Sequence, residues 1–214
     1  MGGERTGKLV QAVVVVAGLA GCGSGTDGGA SSGDVCPALE PCGGDLVGEW
    51  ELVGTCATFD LAELARRVTQ ADECSDLYRD VNLEYTGTLA FDGNGAYTRS
   101  LVMVESTRLV LTSECNAAIT GESAPLTDSA CQTFADQGAA SQPDATVSCS
   151  FVEGSCHCNA VASFADAAEG SYTLSGNAVS FDGGSPREYC VQGLTLRLVG
   201  GVQETRIELE AHKL

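Results

Sequence analysis

The chain has 214 residues, of which 43% are hydrophobic, and 29 acidic side chains against 11 basic ones give a net charge of −18. Acidity on this scale argues against nucleic-acid binding, which depends on Lys and Arg neutralising phosphates. It also opposes a wide electrostatic contact with anionic lipid, and it suits an exported domain kept soluble by its own charge.

The N-terminus carries Arg5 and Lys8, followed by the uncharged run LVQAVVVVAGLAG. A basic segment, an apolar stretch of about a dozen residues and then small residues form a secretory signal. The stretch is too short for a transmembrane helix, which needs about 20 apolar residues. Leu19-Ala20-Gly21-Cys22 resembles the lipobox of bacterial lipoproteins. The resemblance implies cleavage before Cys22 and acylation of its thiol with palmitate-type chains, so residues 1–21 would be the signal peptide and the membrane the first partner. Stable anchoring takes more than one such chain. Gly23, standing where an aspartate would signal inner-membrane retention, points to the outer membrane of the cell envelope. Removing the signal's Glu4, Arg5 and Lys8 leaves a mature chain of about −19. Residues 22–44 are expected to be the lipidated cysteine and a flexible tether, because GSGTDGGASSGD is too rich in Gly and Ser to bury a core. GCGSGT (21–26) superficially suggests a phosphate loop, but it lies between no strand and helix.

Residues 45–214 form one domain of ordinary size. GEWELVGT (48–55) alternates, with Trp50 and Leu52 on one face. TFDLAELARRVTQ places Leu61, Leu64, Ala65 and Val68 on one helical stripe, with Asp60 and Glu63 set as a capping box. YTGTLAFDGNGAYTRSLVMV predicts strand, Gly-rich turn, strand. TRLVLTSE predicts a further strand, and LTDSACQTFADQ a short helix capped by Thr127 or Asp128. TVSCSF, HCNAVASF, GSYTLSG, NAVSFDG, REYCVQG, LTLRLVG and QETRIELE follow as short strands with turns every 6 to 12 residues. That rhythm predicts a closed or nearly closed antiparallel sheet.

With Cys22 assigned to lipid, ten cysteines remain: Cys36, Cys42, Cys56, Cys74, Cys115, Cys131, Cys149, Cys156, Cys158 and Cys190. An even set in an exported chain reads as a disulfide framework of up to five bridges. Two pairings suggest themselves, Cys36 with Cys42 across CPALEPC and Cys149 with Cys156 across a tight turn; the connectivity otherwise stays open. Cys156-His157-Cys158 offers metal-ligand types. However, neighbours on a strand point to opposite faces and zinc sites favour C-x-x-C spacing, so no metal is expected. Asp92-Gly93-Asn94-Gly95 is a hairpin turn before it is a calcium loop.

Gly48-Glu49-Trp50 on the first strand, a short helix, and then successive hairpins ending in GSYTLSGNAVSF and YCVQGLTLRL resemble the lipocalin-like barrels. The resemblance implies a mainly β fold: an antiparallel up-and-down barrel with one or two short helices, stapled by disulfides, and with Trp50 packed across the barrel floor beside Gly48. One departure stands out. The family lays an arginine from near the last strand over this tryptophan, but Arg197 lies opposite Leu194, Leu196 and Leu198, and Arg206 is likewise out of phase.

For catalysis the chain offers two histidines, His157 and His212, the latter near the C-terminus. No set of residues singles itself out as a nucleophile with its base or as an acid–base pair. Neither enzyme activity nor a cofactor is therefore expected. The expected function is binding of a small apolar ligand by an envelope-anchored barrel, since eight strands enclose room for one small ligand. The alternative is a structural or protein-interaction module presenting an acidic surface. Small residues on the inward faces would favour the first, large ones the second.

Overall fold

The computed structural model describes residues 36, 38–200 and 205–214. Cys22, the signal and the Gly/Ser-rich part of the tether lie outside the described residues, as does the side chain of Arg206. Among the described residues the fold is mainly β: nine antiparallel strands, three short helices and five disulfides.

In chain order these are β1 (Gly48–Phe59), α1 (Leu61–Thr69), a 3-10 turn (Asp72–Cys74), β2 (Tyr78–Phe91), β3 (Ala96–Leu111), α2 (Ser113–Thr120), α3 (Asp128–Ser141), β4 (Ala145–Val152), β5 (Ser155–Ser175), β6 (Ala178–Phe181), β7 (Arg187–Gln192), β8 (Thr195–Gly200) and β9 (Thr205–Lys213). The pairing order is β3-β2-β1-β9-β8-β7-β6-β5-β4, and β3 pairs in addition with β5. The pairings thus return on themselves around eight strands, with β4 outside that circuit as a hairpin partner of β5.

The chain divides into two compact units. The first comprises Phe59–Asn82 and Glu105–Ser163; the second comprises Leu83–Val104, Phe164–Leu214 and the described residues up to Thr58. β2, β3 and β5 contribute segments to both.

The first unit holds all three helices. Asp60 caps α1 by accepting from the Glu63 amide at 2.9 Å, and Gln70 ends it in the left-handed conformation with φ 57°. Thr112 caps α2 and Thr127 caps α3, each accepting from the amide three residues on, so each satisfies one of the helix's otherwise unpaired N–H groups. Cys74–Cys115 ties the 3-10 turn to α2, and Cys131–Cys156 ties α3 to β5. Cys149–Cys158 crosses the β4–β5 hairpin.

The second unit contains β1 up to Thr58, all of β6 to β9, and the remaining segments of β2, β3 and β5. Its buried positions carry large side chains: Trp50, Leu89, Met103, Tyr189, Leu198 and Ile207 are all at most 7% exposed. Facing pairs such as Trp50 with Leu89 and Leu198 with Leu209 place these side chains on one face. Cys36 and residues 38–44, assigned by the sequence reading to the end of the tether, are bonded into this unit. Cys36 joins Cys56, Cys42 joins Cys190, and the Cys42 and Gly43 amides donate to Tyr189 O.

Several expectations change here. CPALEPC is not a closed loop: Cys36 and Cys42 each reach a different strand. Cys149 pairs with Cys158, not with Cys156. YTRSLVMV and the first five residues of TRLVLTSE run together in one 16-residue strand, β3, while Thr112 caps α2 and Ser113 and Glu114 begin it. HCNAVASF and GSYTLSG likewise form one 21-residue strand, β5. Helix α2 was not expected.

Candidate functional site

An open cleft of about 520 Å³ lies in the second unit, lined by Tyr97 and Arg99 of β3, the turn from Phe181 to Pro186, the start of β7 at Arg187 and the end of β8. Alternation along β3 turns Tyr97 and Arg99 to the same side. Tyr97, 4% exposed, donates its hydroxyl to Asp182 Oδ2 at 2.8 Å, and Asp182 Oδ1 accepts from the Ser171 amide at 2.9 Å. These bonds, the backbone one foremost, and the charge of Arg99 hold the Asp182 carboxyl below its ordinary range. Asp182 adopts a left-handed backbone, φ 50°, a conformation a non-glycine residue keeps only where its surroundings fix it. Gly170 makes the arrangement possible, because a Cβ there would stand 2.8 Å or less from the Asp182 carboxylate.

Aromatic rings wall the cleft. Tyr97 meets Phe181 edge-on at 5.0 Å between centroids, and Phe181 lies 6.1 Å from Phe91, which itself meets Tyr172 edge-on at 5.2 Å. Two arginines reach the same place. The Arg187 guanidinium sits 6.0 Å from the Phe181 centroid, a cation–π contact at the outer limit of that interaction. Arg99 Nε lies 2.7 Å from Asp166 Oδ2, an ionic contact off the hydrogen-bonding direction. The cleft therefore offers a ring-sized apolar wall with guanidinium groups beside it. Sequence reading did not single out any of these residues, because the wall is assembled from β3, β6 and β7, which are far apart in the chain.

The G-x-W segment has its own geometry. Trp50 is fully buried, and its Nε1 donates to Leu46 O at 2.8 Å. Lys213, near the end of β9, places Nζ 5.3 Å from the Trp50 ring centroid and donates to Val47 O at 2.8 Å. Gly48, with φ 136°, leaves the room this needs, since a Cβ would stand 2.6 Å from Lys213 Cε. Arg197, as expected from its phase, is elsewhere: its Nη2 meets the nearly buried Glu208 at 2.7 Å.

The remaining candidates disperse. All ten cysteines are paired, so the two sulfurs flanking His157 belong to different bridges and offer no thiolates. His157 is exposed, and His212 Nε2 lies 3.6 Å from Glu210. Asp92 accepts from the Asn94 and Ala96 amides at 2.9 and 2.7 Å, as a turn-forming residue does. Among the described residues no group of three or more His, Cys, Asp or Glu is placed to hold a metal.

The chain matches none of the protein-family models, curated proteins or solved structures with which it was compared.

Proposed function

We propose that this chain is an exported, lipid-anchored, non-catalytic binding protein of the cell envelope, held through Cys22, with a lipocalin-like eight-stranded barrel formed by its second unit. The circuit of pairings and the Lys213–Trp50 stack support the barrel reading. The ligand is a small molecule with an apolar ring and an acidic substituent, and it lodges in the Tyr97–Phe181 cleft, not in the barrel interior. The observation carrying this is a contrast: the inward positions of the second unit are occupied by its own large side chains, whereas the cleft leaves about 520 Å³ beside aromatic rings and two guanidinium groups. Rings seat apolar bodies, and guanidinium recognises carboxylate with directed hydrogen bonds.

The test is calorimetric titration of the detergent-extracted full chain with a panel of small aromatic carboxylates and their neutral amides. Saturable one-to-one binding of an acid, weakened roughly tenfold or more by Arg187→Ala, is expected from the loss of one charge-assisted hydrogen bond. Absence of saturable binding across the panel, or equal binding by the Arg187→Ala variant, would count against it. In the former case the acidic surface, with 29 carboxylates in the chain, favours the reading as a protein-interaction module.

A further inference from the structure

Glu105 stands on the buried face of β3, in the first unit, and the proposed cleft makes no use of it. The residue is 2% exposed. Its Oε1 accepts from Thr107 Oγ1 at 3.1 Å, while Oε2 is buried with no hydrogen-bond partner among the described residues. A buried polar atom in that condition costs free energy, and a buried charge costs more.

Among the described residues no charged group is a cause that lowers the Glu105 carboxyl. β2 brings Tyr78, 3% exposed, whose hydroxyl is pushed up by burial and then by the Glu105 charge. Arg79 of β2 is exposed and lies 3.7 Å from Asp76, and Asp80 is half-buried. β5, which also pairs with β3, contributes Cys156, Cys158, Ala160 and Ala162 at its buried positions; the cysteines are in disulfides and none of the four titrates. On α1, Glu63 and Arg66 pair with each other at 2.8 Å. Burial accordingly raises the Glu105 carboxyl to about 7, with the Thr107 hydrogen bond opposing.

We propose that Glu105 is a proton-operated latch of the first unit: as a neutral acid it is accommodated in the core, and on losing its proton it becomes an uncompensated buried charge that loosens the β2–β3 segments around it. An exported protein meets whatever pH its surroundings impose, so this unit tightens in mildly acidic medium and loosens toward alkaline medium. The inference is independent of the cleft.

Hydrogen exchange of the full chain at about pH 5.5 and about pH 8.5, corrected for intrinsic rates, tests it. Protection within residues 78–82 and 105–111 is expected to fall roughly tenfold or more at the higher pH, with β8 and β9 unchanged. Glu105→Gln, neutral throughout, is expected to abolish the difference. An equal pH response in Glu105→Gln, or none in the native chain, overturns the proposal. Should that variant not fold, infrared titration of the native chain decides. A protonated-carboxyl carbonyl band persisting well above the ordinary carboxylate range supports the latch, and its absence overturns it.

Discussion

Gly48 and Glu105 show how much one side chain's environment decides. Gly48 carries a left-handed backbone and lies against Lys213. Gly48→Ala is therefore expected to destabilise the fold by about 1–3 kcal/mol and to weaken the Lys213 contact with Trp50, read as a lowered denaturation midpoint and a shifted tryptophan emission. Glu105 and Asp182 make opposite contributions to pH dependence. The folded-state pKa of Glu105 is raised to about 7 from 4.5. Its proton is then bound more tightly in the folded chain than in the unfolded one, and stability is full below the unfolded value and lost as pH rises through the folded one. The loss amounts to about 3 kcal/mol. Asp182 is depressed by the Ser171 amide, Tyr97 and Arg99, so its contribution is present above the unfolded carboxylate pKa and lost on acidification. Thermal melts across pH should show both limbs. Glu105→Gln should flatten the alkaline limb and Asp182→Asn the acid one; unchanged profiles would contradict the assignments.

At the scale of elements, legibility depended on whether the signal was local. The cap at Asp60, the Thr127 cap of α3 and the Asp92–Gly95 turn are each written within four or five residues, and each was readable. Cysteine pairing was not, because it depends on strand register. Glu153 and Gly154 both have positive φ, 50° and 86°, as a two-residue hairpin turn of the favoured hand requires. That turn sets Val152 opposite Ser155 and hence Cys149 opposite Cys158, leaving Cys156 for Cys131 of α3. A one-position misjudgement of the turn displaces the whole ladder. ADAAEG (165–170) has poor strand propensity and suggests a break within β5, which pairing in the sheet overrides. α2 escaped because its eight residues bury only Cys115 and Ile119, too few to mark a stripe. The bridges also differ in span. Cys42–Cys190 closes 148 residues and Cys149–Cys158 closes 9. Loop-closure entropy assigns them about 5 and about 3 kcal/mol when each is considered alone. Double Cys→Ser replacement of Cys42 and Cys190 should accordingly lower the denaturation midpoint more than replacement of Cys149 and Cys158. The reverse order would show that native-state strain outweighs chain entropy.

The whole molecule combines a lipobox-like N-terminus with a folded region that is stapled from Cys36 onward. Among the described residues no helix is long and apolar enough to cross a membrane, and the proposed attachment is the lipid on Cys22. Cys22→Ser is expected to abolish acyl labelling and move the protein out of the membrane fraction; retention there would contradict the anchor. The mainly β character and the even cysteine set were legible because both are properties of pattern and count. The cleft was not, since Tyr97, Asp182 and Arg187 meet through strand pairing across about ninety residues of chain. Mass spectrometry of the membrane-extracted chain, denatured and then native, reads the anchor, the disulfides and the ligand together. Expected are a chain beginning at acylated Cys22, no free thiol among the other ten cysteines, and a single small acidic molecule released on denaturation. A chain that retains residues 1–21 without acyl groups and carries no small molecule would contradict it.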